Sequence, residues 1–324
     1  MFVFDKFFPS KYFCKNLLEY IKVNVRRYPG SLLFTNFKAG KLREKYNFSD
    51  SRVDLPRRVE VGAVAIMRAE DKFITEWICY HKLMGVDHFY LYDNGDVEES
   101  KRLLAPFIDE GSVTLIPFPD LEGLNYDRKE KNKYKCIQYL AYGDFLVRYA
   151  HNMDWVIKVD IDEFVYPRKG SGFRTIKEYL VSLENISGLK VPSRYFGDSG
   201  HDEAPDDIVI ASYDMRVAEP MSYKTIARTD CILPAKYSTA HDFNYRLSCK
   251  KFKQDEEVLA LNHYYTKSKE DYVDKIEKFK KGYQNGYKKM EQFKKFNSKT
   301  MIKDEGDILE YVDGTKELMD QYKA

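Results

Sequence analysis

Apolar runs alternate with helix-type patterns in the first half of the chain, and this alternation restricts the fold more than any other feature. Buried strands are predicted at 61–67, 88–92, 113–116 and 155–159. Helices are predicted between them, at 71–84, 98–108 and 126–151. Strands that alternate with helices form βαβ units, in which right-handed crossovers connect parallel strands. The sequence therefore predicts an α/β domain with a mostly parallel sheet flanked by helices.

Two aspartates follow the fourth predicted strand directly. Residues i and i+2 of a strand point to the same side, so Asp160 and Asp162 can face one ion. Neighbouring carboxylates repel each other unless a cation lies between them, and hard divalent cations share oxygen ligands with substrate phosphates. Because ligands of open α/β sheets bind beyond the carboxyl ends of the strands, the pair predicts a cation that grips a diphosphate. The alternative is a helix cap or a surface turn. Glu163 is either a further carboxylate or the partner of an arginine or lysine.

Polar residues also follow the first two predicted strands. Arg68 and Glu70 come after the first strand, and Asp93 ends the second. Since the ends of parallel strands gather at one edge, we expect these residues to lie near the aspartate pair. Arg68 can bind phosphate through two hydrogen bonds, and Asp93 can accept hydrogen bonds from a base or ribose. Alternatively, Arg68 pairs with Glu70, and Asp93 only shapes the turn that Asp-Asn-Gly indicates.

Histidines later in the chain offer a further metal ligand. His263 lies near the end of a strand predicted at 258–264, and Lys267 can contact a phosphate. The alternative for His263 is a buried imidazole bonded to backbone, and His241 is a rival ligand. His201 belongs to a glycine-bearing loop at 196–201, which lets the backbone approach a sugar closely or forms an ordinary turn.

The remaining pattern indicates one catalytic domain with appended ends. The predicted parts are a basic and aromatic extension at 1–58 with a short amphipathic helix near 13–21, a catalytic domain at 59–267 and a Lys/Tyr-rich helical extension at 268–324. Further helices are predicted at 175–183, 268–296 and 308–322, and further strands at 189–192 and 208–213. The ends pack on the domain in one interpretation and contact a membrane surface in the other.

Composition restricts the class of protein further. The chain has 324 residues and a formal net charge of +2, which gives no reason to expect a nucleic acid partner. Its five cysteines include no Cys-x-x-Cys pair, which fits a reduced, cytoplasmic protein. No apolar run reaches the roughly 18 residues of a membrane span. If the basic ends bind lipid, the protein lies peripherally on the inner face of the membrane.

Motifs that would indicate other enzymes are missing. The sequence has no Gly-x-Gly-x-x-Gly after the first strand, no Gly-Lys-Ser/Thr loop and no Gly-x-Ser-x-Gly elbow. These absences argue against a dinucleotide oxidoreductase, a P-loop enzyme and a serine hydrolase. The loop at 67–70 also lacks the glycines with which nucleotidyltransferases wrap a triphosphate.

Several blocks of the sequence resemble inverting glycosyltransferases of the family 2 and family 92 kind. They lie in order between residues 61 and 280 and comprise Glu70, Glu76-Trp77, His81, Gly85-Val86-Asp87-His88, Tyr92-Asp93-Asn94, Trp155 to Phe164, Phe196-Gly197, Gly200-His201, Asn262-His263-Tyr264 and Lys267-Ser268. The resemblance implies the A-type glycosyltransferase fold, a nucleotide-sugar donor and a divalent cation, Mn²⁺ or Mg²⁺. Ala69, where these families usually have asparagine, and Asp198, where their loop is more often small and neutral, depart from the pattern.

The resemblance also implies roles for individual residues. Asp160, Asp162 and His263 match the metal ligands, and Asp93 matches the acid that contacts the nucleotide. The predicted donor site then comprises Arg68, Glu70, Asp93, Asp160 and Lys267. The loop that resembles an acceptor or sugar loop comprises Phe196, Gly197, Gly200 and His201. The candidates for the base that accepts the proton of the acceptor hydroxyl are Asp198, Asp202, Glu203 and Asp242.

The predicted activity is metal-assisted transfer of a sugar, with inversion, from a UDP-sugar to a glycan or lipid-linked hydroxyl. UDP-galactose is the donor that the resemblance suggests. Two alternatives remain at this point. One is a metal-dependent nucleotidyl- or phosphotransferase on a similar sheet. The other is a carbohydrate-binding protein without activity, which the 26 tyrosines would suit.

Overall fold

The computed structural model describes residues 40–322, except 42, 46, 119–136, 234–237, 247, 250–251 and 281–289. The amphipathic helix predicted near 13–21 lies outside the described residues, as do residues 126–136 of the long predicted helix.

The described residues contain strands and helices that follow the predicted alternation closely up to Lys158. The strands are β1 (Val59–Met67), β2 (His88–Asp93), β3 (Val113–Pro117), β4 (Met153–Lys158), β5 (Glu163–Pro167), β6 (Gly188–Phe196), β7 (Met215–Arg216), β8 (Ser222–Arg228), β9 (Phe252–Gln254), β10 (Leu259–Tyr264) and β11 (Ile302–Lys303). The helices are α1 (Ile74–Leu83), α2 (Val97–Asp109), α3 (Ile137–Arg148), α4 (Ile176–Ser182), α5 (Val209–Ser212), α6 (Lys269–Lys280), α7 (Met290–Asn297) and α8 (Val312–Gln321).

These strands form one sheet in the order β11-β7-β6-β8-β4-β1-β2-β3, to which β10 adds by pairing with both β5 and β6. The predicted α/β fold is confirmed, and β3, β2, β1 and β4 are parallel as expected. The second half of the sheet is mixed, because β8 runs antiparallel to β4 and β6. The helices between these later strands are short, and antiparallel strands do not need the long crossovers that parallel strands require.

Strand β1 shows why the central strands are mostly apolar. Val61, Ala63 and Ala65 pack with α1 in one core layer, whereas Val64 packs with α3 in the other. Side chains of a strand alternate between the two faces, so a sheet covered by helices on both sides buries most positions of its central strands.

Three residues of the Glu-Trp-x-x-x-His block support the fold. Trp77 donates a hydrogen bond from Nε1 to the carbonyl of Glu163, 3.0 Å away. His81 Nδ1 lies 2.9 Å from the carbonyl of Trp77, and burial lowers the pKa of His81 to about 4. Glu76 accepts hydrogen bonds from the backbone N–H groups of Val209 and Ile210 at 2.8 and 3.1 Å. The block thus joins α1 to β5 and to α5.

The prediction of a strand at 208–213 is wrong, because Val209–Ser212 is a short helix. Its apolar run resembles a strand, but the carboxylate of Glu76 satisfies the first N–H groups of the helix. The predicted helix at 308–322 begins with a 3₁₀ turn at Asp307–Tyr311 and continues as α8. The sequence pattern does not predict strands β5 and β8.

Both described ends pack on the central domain. Arg43 is buried and pairs with Asp144 on α3 at 2.8 Å. At the other end, the ring of Tyr322 lies 4.1 Å from that of Phe107 on α2. These contacts agree with the interpretation in which the extensions pack on the domain, and the two predicted domain boundaries stay predictions.

Cys231 and Cys249 form a disulfide with a Cα–Cα distance of 5.5 Å, whereas Cys79 is free and buried. The expectation that all cysteines are reduced is therefore wrong for this pair. Disulfides persist mainly in oxidising compartments, so the cysteines no longer argue for a cytoplasmic location. Between residues 40 and 322, apart from the gaps given above, no helix is long and apolar enough to cross a membrane.

Burial raises the pKa of Glu76 to about 7. Between pH 4.5 and 7 the native state therefore holds a proton that the unfolded chain has released, so stability should fall as pH rises through this range. The loss should be on the order of 3 kcal/mol. Glu76→Gln should flatten this dependence in urea unfolding at about pH 5 and pH 7.5. Glu98→Gln, on an exposed face of α2, should keep the wild-type dependence.

Candidate active site

A cavity of about 290 Å³ lies beyond the carboxyl ends of β1, β2 and β4, where the sequence predicts a ligand site. The lining residues are Ile66, Met67, Arg68, Glu70, Asn94, Ile137, Gln138, Asp160, Ile161, Asp162, His263, Tyr265 and Lys275. Predicted donor and metal residues from three distant parts of the sequence therefore meet here.

Asp160 and Asp162 both face this cavity, although they lie in the turn between β4 and β5 rather than on a strand. Asp160 accepts hydrogen bonds from Gln138 Nε2 at 3.1 Å and from Lys224 Nζ at 2.7 Å. Asp162 lies 3.3 Å from Lys275 Nζ. Both carboxylates face the same cavity in spite of the turn, and each pairs with a different lysine.

Lys224 on β8 is the central charge behind the cavity. Its ammonium lies 2.7 Å from Asp160 and 2.9 Å from Glu163, and only 2% of its side chain is exposed. Burial alone would lower the pKa of Lys224, but Asp160 and Glu163 hold it well above its usual value. Glu163 thus pairs with a lysine, one of the two possibilities that its position in the sequence leaves open.

His263 on β10 stands between two carboxylates. Its Nε2 lies 3.4 Å from Asp162 Oδ1, and its Nδ1 lies 3.3 Å from Glu163 Oε1. Burial would raise the pKa of Asp162, but Lys275 and His263 hold it well below its usual value. Burial raises the pKa of Glu163. The ring of Tyr195 packs on the imidazole at 4.4 Å and fixes its plane.

Two predicted donor residues do not line the cavity. Asp93 is buried, and its Oδ1 accepts a hydrogen bond from the N–H of Gly95 at 2.7 Å, so it shapes the turn while its neighbour Asn94 faces the cavity. Lys267 is buried, and its ammonium lies 4.2 Å from the centre of the Phe73 ring. Burial lowers the pKa of Lys267.

The predicted acceptor loop is tied to the C-terminal segment rather than to the cavity. A Cβ on Gly197 would collide with the side chains of Asn297 and Thr300, so this glycine permits close packing. His201 Nε2 lies 3.1 Å from the carbonyl of Ser212. Phe196 is buried against Tyr264, and Gly200 has a positive φ of 83°. None of these four predicted loop residues lines the cavity.

The candidates for the catalytic base also lie away from the cavity. Asp198 Oδ1 accepts from the N–H of Gly200 at 3.1 Å. Asp202 is exposed and pairs with Lys269 at 3.2 Å, and Glu203 is exposed. Asp242 lies 3.3 Å from Lys190, and the rival ligand His241 bonds with Nδ1 to the carbonyl of Tyr223 at 3.1 Å. The carboxylates that do line the cavity are Glu70, Asp160 and Asp162.

Several residues in or behind the cavity wall are not predicted by the sequence pattern. Lys224 and Gln138 bind Asp160, Lys275 binds Asp162, and Tyr265 lines the cavity. For Tyr265 a signal exists, because it follows the predicted His263 by two residues. Lys275 lies in a segment with several other lysines, from which spacing alone does not separate it, and Lys224 lies in a strand that the pattern does not predict.

The predicted ligands are of the chemical type that a divalent cation binds, but they are not arranged as a closed metal site. Across the described parts of residues 40–322, no group of three or more His, Cys, Asp or Glu side chains is arranged to hold a metal ion. The predicted ligands Asp160, Asp162 and His263 nevertheless line one cavity. Glu163 Oε1 lies 3.3 Å from Nδ1 of the imidazole, within reach of the hydrogen bond by which carboxylates orient metal-binding histidines, although that bond is not made. Asp160 pairs with Lys224 and Asp162 pairs with Lys275, so these carboxylates do not form a closed ligand cluster.

Similarity to known proteins extends over most of the chain. The model described as glycosyltransferase family 92 matches residues 61–307. A family 92 protein of Oryza sativa subsp. japonica is 26% identical over 212 residues, 65% of this chain and 34% of the relative. A galactan β-1,4-galactosyltransferase of Arabidopsis thaliana is 29% identical over 185 residues, 55% of this chain and 31% of the relative. The chain spans about a third of the length of these two curated relatives.

Solved structures show a weaker likeness. S. aureus TarS, residues 1–349, has a TM-score of 0.34 and 11% identity, and the match covers 75% of this chain and 70% of TarS.

Lys224→Met should lower the free energy of unfolding by about 3 kcal/mol or more at pH 8, because Asp160 and Glu163 lose their shared buried cation. The loss should shrink at about pH 5.5, because burial raises the pKa of Glu163, which can then take up a proton. Lys190→Met, which removes a partly exposed pair with Asp242, should cost about 1 kcal/mol or less. Urea unfolding measures both. Equal losses for the two variants, or no dependence on pH, would contradict the assignment.

Proposed function

The chain belongs to glycosyltransferase family 92, and on this premise we propose that it transfers a sugar from a nucleotide-diphosphate donor to a hydroxyl group of a glycan or lipid-linked acceptor. The observation that carries the proposal is the convergence of Asp160, Asp162 and His263 on one cavity at the carboxyl ends of the parallel strands. That edge is where α/β sheets bind nucleotides. The nucleotidyltransferase and the non-catalytic binding protein are thereby the less favoured alternatives.

The charge of the cavity supports a divalent cation as part of the proposal. Three carboxylates line it against two cations, those of Arg68 and Lys275, which leaves an excess of one negative charge. Glu163 and Lys224 behind the wall cancel each other. A diphosphate would be repelled by this excess, and a divalent cation reverses its sign. When bound at Asp160, Asp162 and His263, Mn²⁺ or Mg²⁺ would stabilise the negative charge of the leaving diphosphate.

The residues of the chain itself have separate tasks in this proposal. Gln138 and Lys224 hold the carboxylate of Asp160 in place through hydrogen bonds of 3.1 and 2.7 Å. Glu163 lies beside His263, with its Oε1 3.3 Å from Nδ1. Arg68 lies at the end of β1, where its guanidinium can bind a phosphate of the donor. The apolar side chains of Ile66 and Ile137 keep water from part of the cavity.

The donor and stereochemistry extend the proposal further. Similarity to a galactan β-1,4-galactosyltransferase supports UDP-galactose as the first donor to test and a β-galactan as the first acceptor. Inversion follows from the resemblance to inverting families, and it requires a base that deprotonates the acceptor hydroxyl opposite the leaving group. The predicted base candidates Asp198, Asp202, Glu203 and Asp242 do not line the cavity, whereas Glu70, Asp160 and Asp162 do.

Purified protein with UDP-galactose, a β-galactan and Mn²⁺ should release UDP, and a chelator should abolish this release. Asp162→Asn should lower kcat/KM by about 100-fold or more, because one buried carboxylate that faces the donor is lost. Asp154→Asn is the matched control, since Asp154 pairs with Arg58 on the exposed surface at the far end of β4. It should keep wild-type activity.

Transfer that persists with a chelator would contradict the cation, while the transferase assignment would stand. Release of pyrophosphate from a nucleoside triphosphate, without UDP release from any UDP-sugar, would favour the nucleotidyltransferase instead. The anomeric configuration of the product, read by proton NMR, tests inversion.

A further inference from the structure

Lys275 on α6 reaches the cavity from outside the sheet. Its ammonium lies 3.3 Å from Asp162 Oδ2 and 3.4 Å from Glu70 Oε1, and 22% of its side chain is exposed. Glu70 follows β1 and Asp162 follows β4, so Lys275 joins the loops at the ends of two adjacent parallel strands. It is the lysine that lines the cavity within the described residues.

Helix α6 holds Lys275 in this position through its first turn. Asp271, one turn before Lys275 on the same helix face, pairs with Lys72 at 2.5 Å and accepts from Ser268 Oγ at 2.8 Å. Lys72 belongs to the same loop as Glu70. The loop and the helix face therefore make two ion pairs of opposite polarity, Lys72 with Asp271 and Glu70 with Lys275. These two ion pairs hold α6 against the loop that follows β1.

The two contacts of Lys275 are longer than a charge-assisted hydrogen bond, which is usually about 2.7–2.9 Å. The ammonium is thus attracted by two carboxylates without a short bond to either. Lys224 differs, because it makes contacts of 2.7 and 2.9 Å behind the wall. Lys267 differs as well, because it is buried over Phe73 and does not line the cavity. Of these three lysines, Lys275 is the one that lines the cavity, and its two contacts with carboxylates are long enough to be exchanged for a contact with an anion there.

We infer that Lys275 binds the diphosphate of the donor and stabilises it as the leaving group. The inference rests on the proposed function and transfers to Lys275 the phosphate contact that the sequence predicts for Lys267. A diphosphate beside Asp162 offers oxygens with more negative charge than a single carboxylate, so the ammonium exchanges its long contact with Asp162 for a phosphate contact. Glu70 stays as the second partner and keeps the side chain aimed into the cavity.

The test is the binding of UDP and of uridine to Lys275→Met, measured by calorimetry and ligand NMR with Mn²⁺ present. The dissociation constant for UDP should rise about 10- to 100-fold, the size expected when a charged hydrogen bond is lost. Uridine carries no phosphate, so its binding should not change. Lys275→Arg should restore most of the affinity for UDP. Lys269→Met, on the same helix but paired with the exposed Asp202, should bind UDP as the wild type does.

Unchanged UDP affinity in folded Lys275→Met would overturn the inference, and so would an equal loss for Lys269→Met or an equal loss for uridine. Thermal unfolding checks the fold, and Lys275→Gln replaces the methionine variant if that variant does not fold. Turnover separates this inference from the proposed function. Wild-type protein that neither binds UDP nor releases it from a UDP-sugar refutes both, whereas wild-type turnover with an unaffected Lys275→Met refutes the role of Lys275 alone.

Discussion

Buried carboxylates at the end of β4 must be neutralised, and this requirement organises the structure around the cavity. Glu163 is completely buried, and Asp162 is nearly so. A charge without a partner in such surroundings would cost several kcal/mol. The cations come from two places that are distant in sequence, Lys224 on β8 and Lys275 on α6, and His263 on β10 lies beside both carboxylates. Each partner belongs to a different strand or helix. The contacts that balance the buried charges therefore also hold these elements at the edge of the sheet.

The sequence predicts the first half of the fold, β1 to β4, where the apolar pattern of each segment matches its burial in the folded protein. Strands β1, β2 and β4 contribute to core clusters on both faces of the sheet, so their apolar runs are nearly continuous, and helix α2 between them is amphipathic. The aspartate pair, Glu70 and His263 are predictable because they come at or just after the end of an apolar strand, where the sheet binds its ligands. Asp93 shows the limit of this reasoning, because it ends a strand at the correct edge but turns towards Gly95.

The unpredicted part depends on contacts that pattern does not encode. Strand β8 is not recognisable in the sequence because Ser222–Arg228 contains lysine and arginine, and its central Lys224 is buried only because two carboxylates meet it. The segment at 208–213 has the composition of a strand, and Glu76 from a helix more than 130 residues earlier decides that it is helical. Gly197 is expected to serve a ligand, and it serves the packing of Asn297 instead.

Strand β10 has a consequence for the order in which the protein is completed during synthesis. It is inserted between β5 and β6, which lie roughly 70 to 100 residues earlier in the chain, and it carries His263. Until β10 leaves the ribosome, β5 lacks its described neighbour and Glu163 lacks an imidazole. Strands β1 to β4 pair with one another without any residue that follows Lys158. The cavity acquires the charge of Lys275 only when α6 has emerged as well, so the donor site is completed after the sheet that carries it.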